Sequence, residues 1–219
     1  FWLAHFRGRP SAAHFAMGGP CGLKQPGQLK KAGPPCTDNF QVRQFVFDGR
    51  EWESVEQCYQ ALKFPSRDVQ ERIRSIQKHG WEKDSAHGMR VWREGQMHSD
   101  VGEDWDAVKI EIMYRANLAK YLQHPDLQAE LLGTGAFELE GAPSTNWEGR
   151  TGCYNWSLWN GRIQMRIREE LRAPVEREAG LLEALAKAFE DYLQGEGGAK
   201  FPLPEVELPA SAAAEEGGA

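Results

Sequence analysis

Ser54-Val55-Glu56-Gln57-Cys58-Tyr59-Gln60-Ala61-Leu62-Lys63-Phe64 reads as one short helix with two unlike faces. Ser54 followed by Gln57 is a capping box, and Phe64-Pro65 closes the element, because the residue before a proline is pushed out of the helical region. At 100° per residue, Val55, Cys58, Ala61 and Leu62 gather on an apolar side, and Glu56, Tyr59, Gln60 and Lys63 gather on the other. Glu56 and Lys63 lie almost in line two turns apart, roughly 10 Å along the axis. Long side chains at that spacing reach a small ligand held between them. Taken alone, the polar row also fits a solvated face carrying a structural ion pair.

Outward from this helix the pattern stays helical. Val69, Ile73 and Ile76 give the stripe of a second helix begun by Ser66 and stopped by Gly80, and a short helix is expected over 85–92. The longest periodic run covers 102–124, with Trp105, Val108, Ile112, Ala116, Ala119 and Leu122 on one face. Pro125 breaks it, and 127–132 adds a further turn or two. Strand signals are few: 44–48, closed by an Asp48-Gly49 turn, and 137–140. The Trp-, Gly- and Asn-rich stretch 141–158 is expected as a loop. A helix from Asn160 or Gly161 carries Ile163, Ile167 and Leu171, and another over 176–194 carries Leu181, Leu182, Leu185, Phe189 and Leu193. The fold class expected is mainly α, a single compact helical domain with a few short strands. Three segments are expected: a Gly/Pro-rich irregular arm or insertion over 1–38, the main domain over 39–194, and a disordered acidic tail over 195–219.

At 219 residues and 41% hydrophobic content, with eight tryptophans, the chain is long enough for a proper core. It contains no run of about 18 apolar residues, so no membrane span or membrane partner is expected. The first residue is Phe1 and not Met, as expected of a trimmed chain. All of the net charge of −6 falls after Leu171, where ten acids face four bases. A formally neutral remainder argues against sequence-blind tracking along nucleic acid, which needs many phosphate-facing cations. Cys21, Cys36, Cys58 and Cys153 show no C-x-x-C, and the six histidines show no ligand spacing. Neither a metal nor a disulfide framework is indicated, and an intracellular setting, cytoplasm or nucleus, is expected.

Asn39-Phe40, Phe47-Asp48-Gly49-Arg50-Glu51-Trp52 and the Ser54–Phe64 stretch together resemble the opening signature of the NADAR (YbiA-like) family. Trp105-Asp106-Ala107-Val108-Lys109 with Met113 resembles its W-x-x-V-K-x-x-x-M helix. Leu131-Leu132-Gly133-Thr134-Gly135 with Leu139-Glu140, and Gly161, Met165, Ile167 and Arg168, resemble its later motifs in the same order. One departure is clear: where the family has D-x-x-W-G, this chain reads Ser144-Thr145-Asn146-Trp147-Glu148-Gly149, with Ser144 in place of the acid.

The resemblance implies an N-glycosidic bond between ribose C1 and a nitrogen base as target, without cofactor or metal. Such chemistry needs a proton for the leaving nitrogen, a nucleophile at C1 and cations for phosphate. It implies Lys63 as the nucleophile, through a Schiff base, and Glu56 as the proton-transfer group. Asn39, Phe40, Tyr59, Gln60, Arg90, Trp105, Ser144, Trp147 and Arg168 are the expected substrate contacts, with Arg168 and Arg90 for phosphate and Trp147 and Trp105 as stacking surfaces. Trp105 fits the core stripe equally well. The ligand expected is ADP-ribose on a guanine-type base in DNA or a nucleotide, handled by a monomer. Riboflavin-precursor N-glycosides are the second substrate class, and a non-enzymatic ADP-ribose or NAD reader is the rival that Ser144 makes credible.

Overall fold

The computed structural model describes residues 19–25 and 31–208. Its centre is α4 (Trp105–Gln123), whose buried residues include Trp105, Val108, Ile112 and Ala116 on the expected stripe. Ile110, Tyr114, Leu118 and Tyr121 bury its other sides as well. A helix apolar on every side belongs inside a helical layer, and the chain wraps the remaining helices around it. α1 (Val55–Leu62), α5 (Pro125–Leu132), α6 (Trp156–Leu171) and α7 (Leu181–Gly195) all pack on α4, while α2 (Arg67–Arg74) and α3 (Asp84–Gln96) pack on α1. None of the described helices is long and apolar enough to cross a membrane.

The strands are short and antiparallel. β3 (Phe45–Phe47) and β4 (Arg50–Trp52) form a hairpin in register Phe45 to Trp52. Its turn residues Asp48 and Gly49 both take positive φ, 51° and 68°, the conformation that Asp-Gly favours between right-twisted strands. β1 (Gly22–Lys24) pairs with both β2 (Lys31–Ala32) and β5 (Glu138–Glu140). β6 (Asn146–Glu148) and β7 (Cys153–Asn155) form a third sheet.

Several segments differ from the sequence reading. Much of the expected irregular arm is built into the domain: Cys21, Cys36 and Thr37 are fully buried, and the Cys21 N–H donates to Thr37 Oγ1 at 2.8 Å. Glycine and proline exclude long elements there, yet they permit strands of three and two residues and the 3-10 turn Pro35–Thr37. The stretch expected as a loop contains β6 and β7, and α6 starts early because the Asn155 side chain caps it, accepting from the N–H groups of Ser157 and Leu158. α7 starts late, after a 3-10 turn at Pro174–Glu176 and a left-handed Gly180. The tail expected to be disordered is anchored as far as described: Arg115 donates to the carbonyls of Leu203 (3.3 Å) and Pro204 (2.7 Å), and Leu203 and Val206 pack on the core. A proline-rich extended strand has few backbone donors, so a guanidinium that takes its free carbonyls holds it well. Residues 1–18 and 26–30 of the expected arm and 209–219 of the expected tail lie outside the described residues.

Candidate active site

The Ser54 hydroxyl caps α1 as expected, accepting from Gln57 N–H at 3.2 Å. The Gln57 side chain does not return to the Ser54 N–H as a capping box requires, and it bonds other backbone groups instead. Its oxygen accepts from Glu53 N–H at 2.8 Å, and its nitrogen reaches the carbonyls of Arg74 and Ile76 at the end of α2, at 3.0 and 3.1 Å. Locked in this way, α1 buries Val55, Cys58 and Ala61 on its apolar side. Its polar side is buried too: Glu56, Tyr59 and Gln60 are only 7%, 7% and 4% exposed. That side is not a solvated face. It forms the floor of a cleft of about 600 Å³.

Glu56 is tied in from two directions. Its backbone N–H donates to Asn39 O at 2.9 Å, and its carboxylate accepts from Gln60 Nε2 at 2.8 Å. Burial pushes the carboxyl up to about 7; the Gln60 bond and the Lys63 charge pull the other way, while nearby Asp38 adds to the rise. Lys63 Nζ lies 3.2 Å from the carbonyl of Gly95 in the last turn of α3. Burial and the charge of Lys109 lower its pKa against the opposing pull of Glu56. Gly95 also makes room. A Cβ there would stand 2.2 Å from Gln60 Oε1, an oxygen with no partner among the described residues.

The walls come from four further elements. Tyr59 packs between Trp105 of α4 (4.9 Å) and Trp156 of α6 (5.4 Å). Asn39 is held by amide contacts to Asn117 (2.9 Å) and Asn160 (3.3 Å). Asp38 accepts from the N–H groups of Gly19 and Phe40 at 3.0 and 2.9 Å. Of the residues singled out in the sequence, Lys63, Glu56, Asn39, Phe40, Tyr59, Gln60, Trp105 and Ser144 line this one cleft. Trp105 serves as both core and wall.

Three expected contacts lie elsewhere. Arg168 is 1% exposed and donates to Glu169 Oε1, Thr134 Oγ1 and Phe137 O at 3.2, 3.0 and 2.7 Å, so it ties α6 to the approach of β5. Arg90 clamps the Glu82 carboxylate at 2.8 and 2.6 Å and bonds Gln77 O. A guanidinium with its donors spent on protein oxygens has little left for a phosphate. Trp147 lies behind the wall, stacked near Tyr154 (5.5 Å) and Trp156 (5.0 Å). Asp38, Asp106, Lys109, Trp156 and Asn160 line the cleft and were not singled out as contacts. Lys109 had a signal: it follows Trp105 by four residues and so shares its helix face. Among the described residues no cluster of His, Cys, Asp and Glu is placed to hold a metal.

Residues 30–172 match the family model described as the NADAR domain. A riboflavin biosynthesis protein of Vibrio vulnificus is 33% identical over 135 residues, 61% of this chain and 35% of that protein. The N-glycosidase YbiA of Escherichia coli is 30% identical over 135 residues, covering 61% of this chain and 79% of YbiA. An N-glycosidase of Nostoc punctiforme is 32% identical over 139 residues, 63% of this chain and 85% of that protein. The chain thus spans about a third of the Vibrio protein and 22% of a chloroplastic riboflavin biosynthesis protein of Zea mays. The solved structure of E. coli YbiA aligns with a TM-score of 0.49 at 26% identity, over 63% of this chain and 77% of that one.

Proposed function

The chain belongs to the NADAR domain family, and from that premise we propose that it is an N-glycosidase that breaks the bond between ribose C1 and a nitrogen base. The observation that carries the reading is one cause with two useful effects. Burial in the same cleft pushes the Glu56 carboxyl up, toward its protonated form, and the Lys63 amine down, toward its neutral form. A carboxyl that keeps its proton up to about pH 7 and an amine that gives its proton up more readily than a free lysine are the two groups this cleavage needs.

In the proposed step Lys63 Nζ attacks C1, and the C1–N bond breaks with its electron pair leaving on the nitrogen, which takes the proton of Glu56. The attached amine gives its extra proton to the Glu56 carboxylate. The C1–O bond of the ribose ring then breaks, the ring oxygen taking the proton back from Glu56 as the lysine nitrogen forms the C1=N bond of a Schiff base. Water adds to C1, gives a proton to the Glu56 carboxylate, and the C1–N bond breaks to return the sugar and the free lysine. Tyr59, Trp105 and Trp156 offer an aromatic side to the departing base. The substrate proposed first is ADP-ribose on a guanine-type base. Ribosylamino pyrimidine phosphates come second, a choice that the names of the Vibrio and maize relatives favour.

Borohydride added during turnover should fix the sugar on Lys63 as a secondary amine, read by mass spectrometry. Lys63→Ala should abolish adduct and turnover while ligand binding survives within about tenfold, since a nucleophile acts mainly in the transition state. Unchanged turnover in that variant would remove Lys63 from the mechanism. Ser144 on the cleft wall favours one other reading, a module that binds ADP-ribose without cleaving it. If the missing acid is what limits the rate, Ser144→Asp should raise it about ten- to a hundredfold. Binding by both forms with no base released by either leaves the module.

A further inference from the structure

We propose that Lys109 is the phosphate seat of the cleft and selects a ribosyl ligand that carries a 5′-phosphate; this inference rests on the glycosidase reading. Among the described residues, Lys63 and Lys109 are the cations that line the cleft. Lys63 is committed to C1. The arginines that the sequence offered for phosphate are taken by Glu82 and by the Thr134–Phe137 segment. The lining also holds the carboxyl groups of Asp38, Glu56 and Asp106, so an anionic group entering this space has Lys109 as the cation left to receive it.

Its surroundings are those of a built site. The Lys109 side chain is 7% exposed, and its ammonium lies 4.2 Å from the ring centroid of Trp147 and 2.8 Å from Asp106 Oδ1. Among the described residues, Asp106 accounts for one of the three donors that an ammonium carries. That partner is soft. The Asp106 side chain is 70% exposed, so water screens the pair from that side and a phosphate displaces the carboxylate at small cost.

The seat is also rigid. Tyr192 of α7 donates its hydroxyl to Asp106 O at 2.5 Å and packs edge-on against Trp147. One tyrosine thus supports both the backbone beside Lys109 and the ring beneath it. Lys63, the residue that ends α1, and Lys109, on α4, line the same cleft, and in the proposed pose the ribose presents C1 to the first and its 5′ end to the second.

Calorimetric binding of ribose 5-phosphate and of plain ribose tests this without any turnover. The full chain should bind the phosphorylated sugar more tightly. Lys109→Met, which keeps the length and apolar body of the side chain, should weaken ribose 5-phosphate roughly ten- to a hundredfold and leave ribose unchanged. Lys109→Arg should keep most of the affinity. Equal affinity of wild type for both sugars, or unaltered ribose 5-phosphate binding in Lys109→Met, overturns the proposal. An equal loss for both sugars also overturns it, by making Lys109 a structural support. If Lys109→Met does not fold, amine labelling of the wild type decides: ribose 5-phosphate must shield Lys109 where ribose does not. Failure of the glycosidase reading looks different, as intact phosphate-dependent binding with no base released.

Discussion

A carboxyl pushed up to about 7 makes the folded chain bind a proton that the unfolded chain has already lost. The raised value means that Glu56 favours folding fully below about 4.5 and that this contribution is lost as pH rises through 7. Glu56→Gln removes the buried charge and can still accept the Gln60 bond. Its unfolding free energy should equal that of wild type near pH 4.5 and exceed it at pH 8 by on the order of 3 kcal/mol, with a correspondingly higher melting temperature. Parallel melting curves at the two pH values would show that Glu56 is solvated. Gly95→Ala tests the other side of the floor. The new methyl displaces the Gln60 amide and, with it, the bond that holds Glu56 down, so the Glu56 titration followed by NMR should move up and kcat/KM should fall at least tenfold. An unmoved titration would mean that Gln60 escapes without releasing Glu56. These residues were legible because α1 announces itself through its cap and its two faces. Arg168 misled for a physical reason: a motif preserves a buried guanidinium for its protein partners as readily as for a ligand.

α1 through its cap and α4 through its 3.6-residue period could be read from the sequence almost to their ends, whereas α2 begins at its Ser66 cap as expected but ends at Arg74, well short of Gly80. The β6–β7 hairpin could not be read, because its strands are too short to alternate and their support comes from 42 to 46 positions away. Glu196, 4% exposed just beyond α7, accepts from the N–H groups of Arg150 and Thr151 at 2.8 and 3.2 Å and from the Tyr154 hydroxyl at 3.2 Å. Glu196→Ala strands these donors at the hairpin turn. A loss of about 1–3 kcal/mol is expected, seen as a melting temperature lower by roughly 3–10 °C. A melt that does not move would show that the aromatic stack of Trp147, Tyr154 and Tyr192 holds the hairpin alone.

Across the whole molecule, the segment that matches the family stops at residue 172, yet the structure does not. Phe189 meets Tyr114 and Trp159 edge-on at 5.5 and 5.2 Å, and Tyr192 supports the cleft wall. Removing two such aromatics costs about 3–5 kcal/mol each, comparable with the 5–15 kcal/mol that keeps a domain folded. A chain cut after Gly180 should therefore lose its cooperative near-UV melt. A sharp transition within a few degrees of the intact protein would make α7 dispensable. The sequence showed the α7 stripe through Leu185 and Phe189 but not Tyr192, whose function depends on where α4 passes. The contact from Tyr192 to Asp106 spans 86 positions. At ribosomal speeds of 5–20 residues per second, the cleft wall waits roughly 4–17 s for the tyrosine that braces it. Throughout that interval the nascent chain carries Glu56, Lys63 and Lys109 without the tyrosine that braces Asp106 and Trp147, so completion of the cleft is delayed by the direction of synthesis itself.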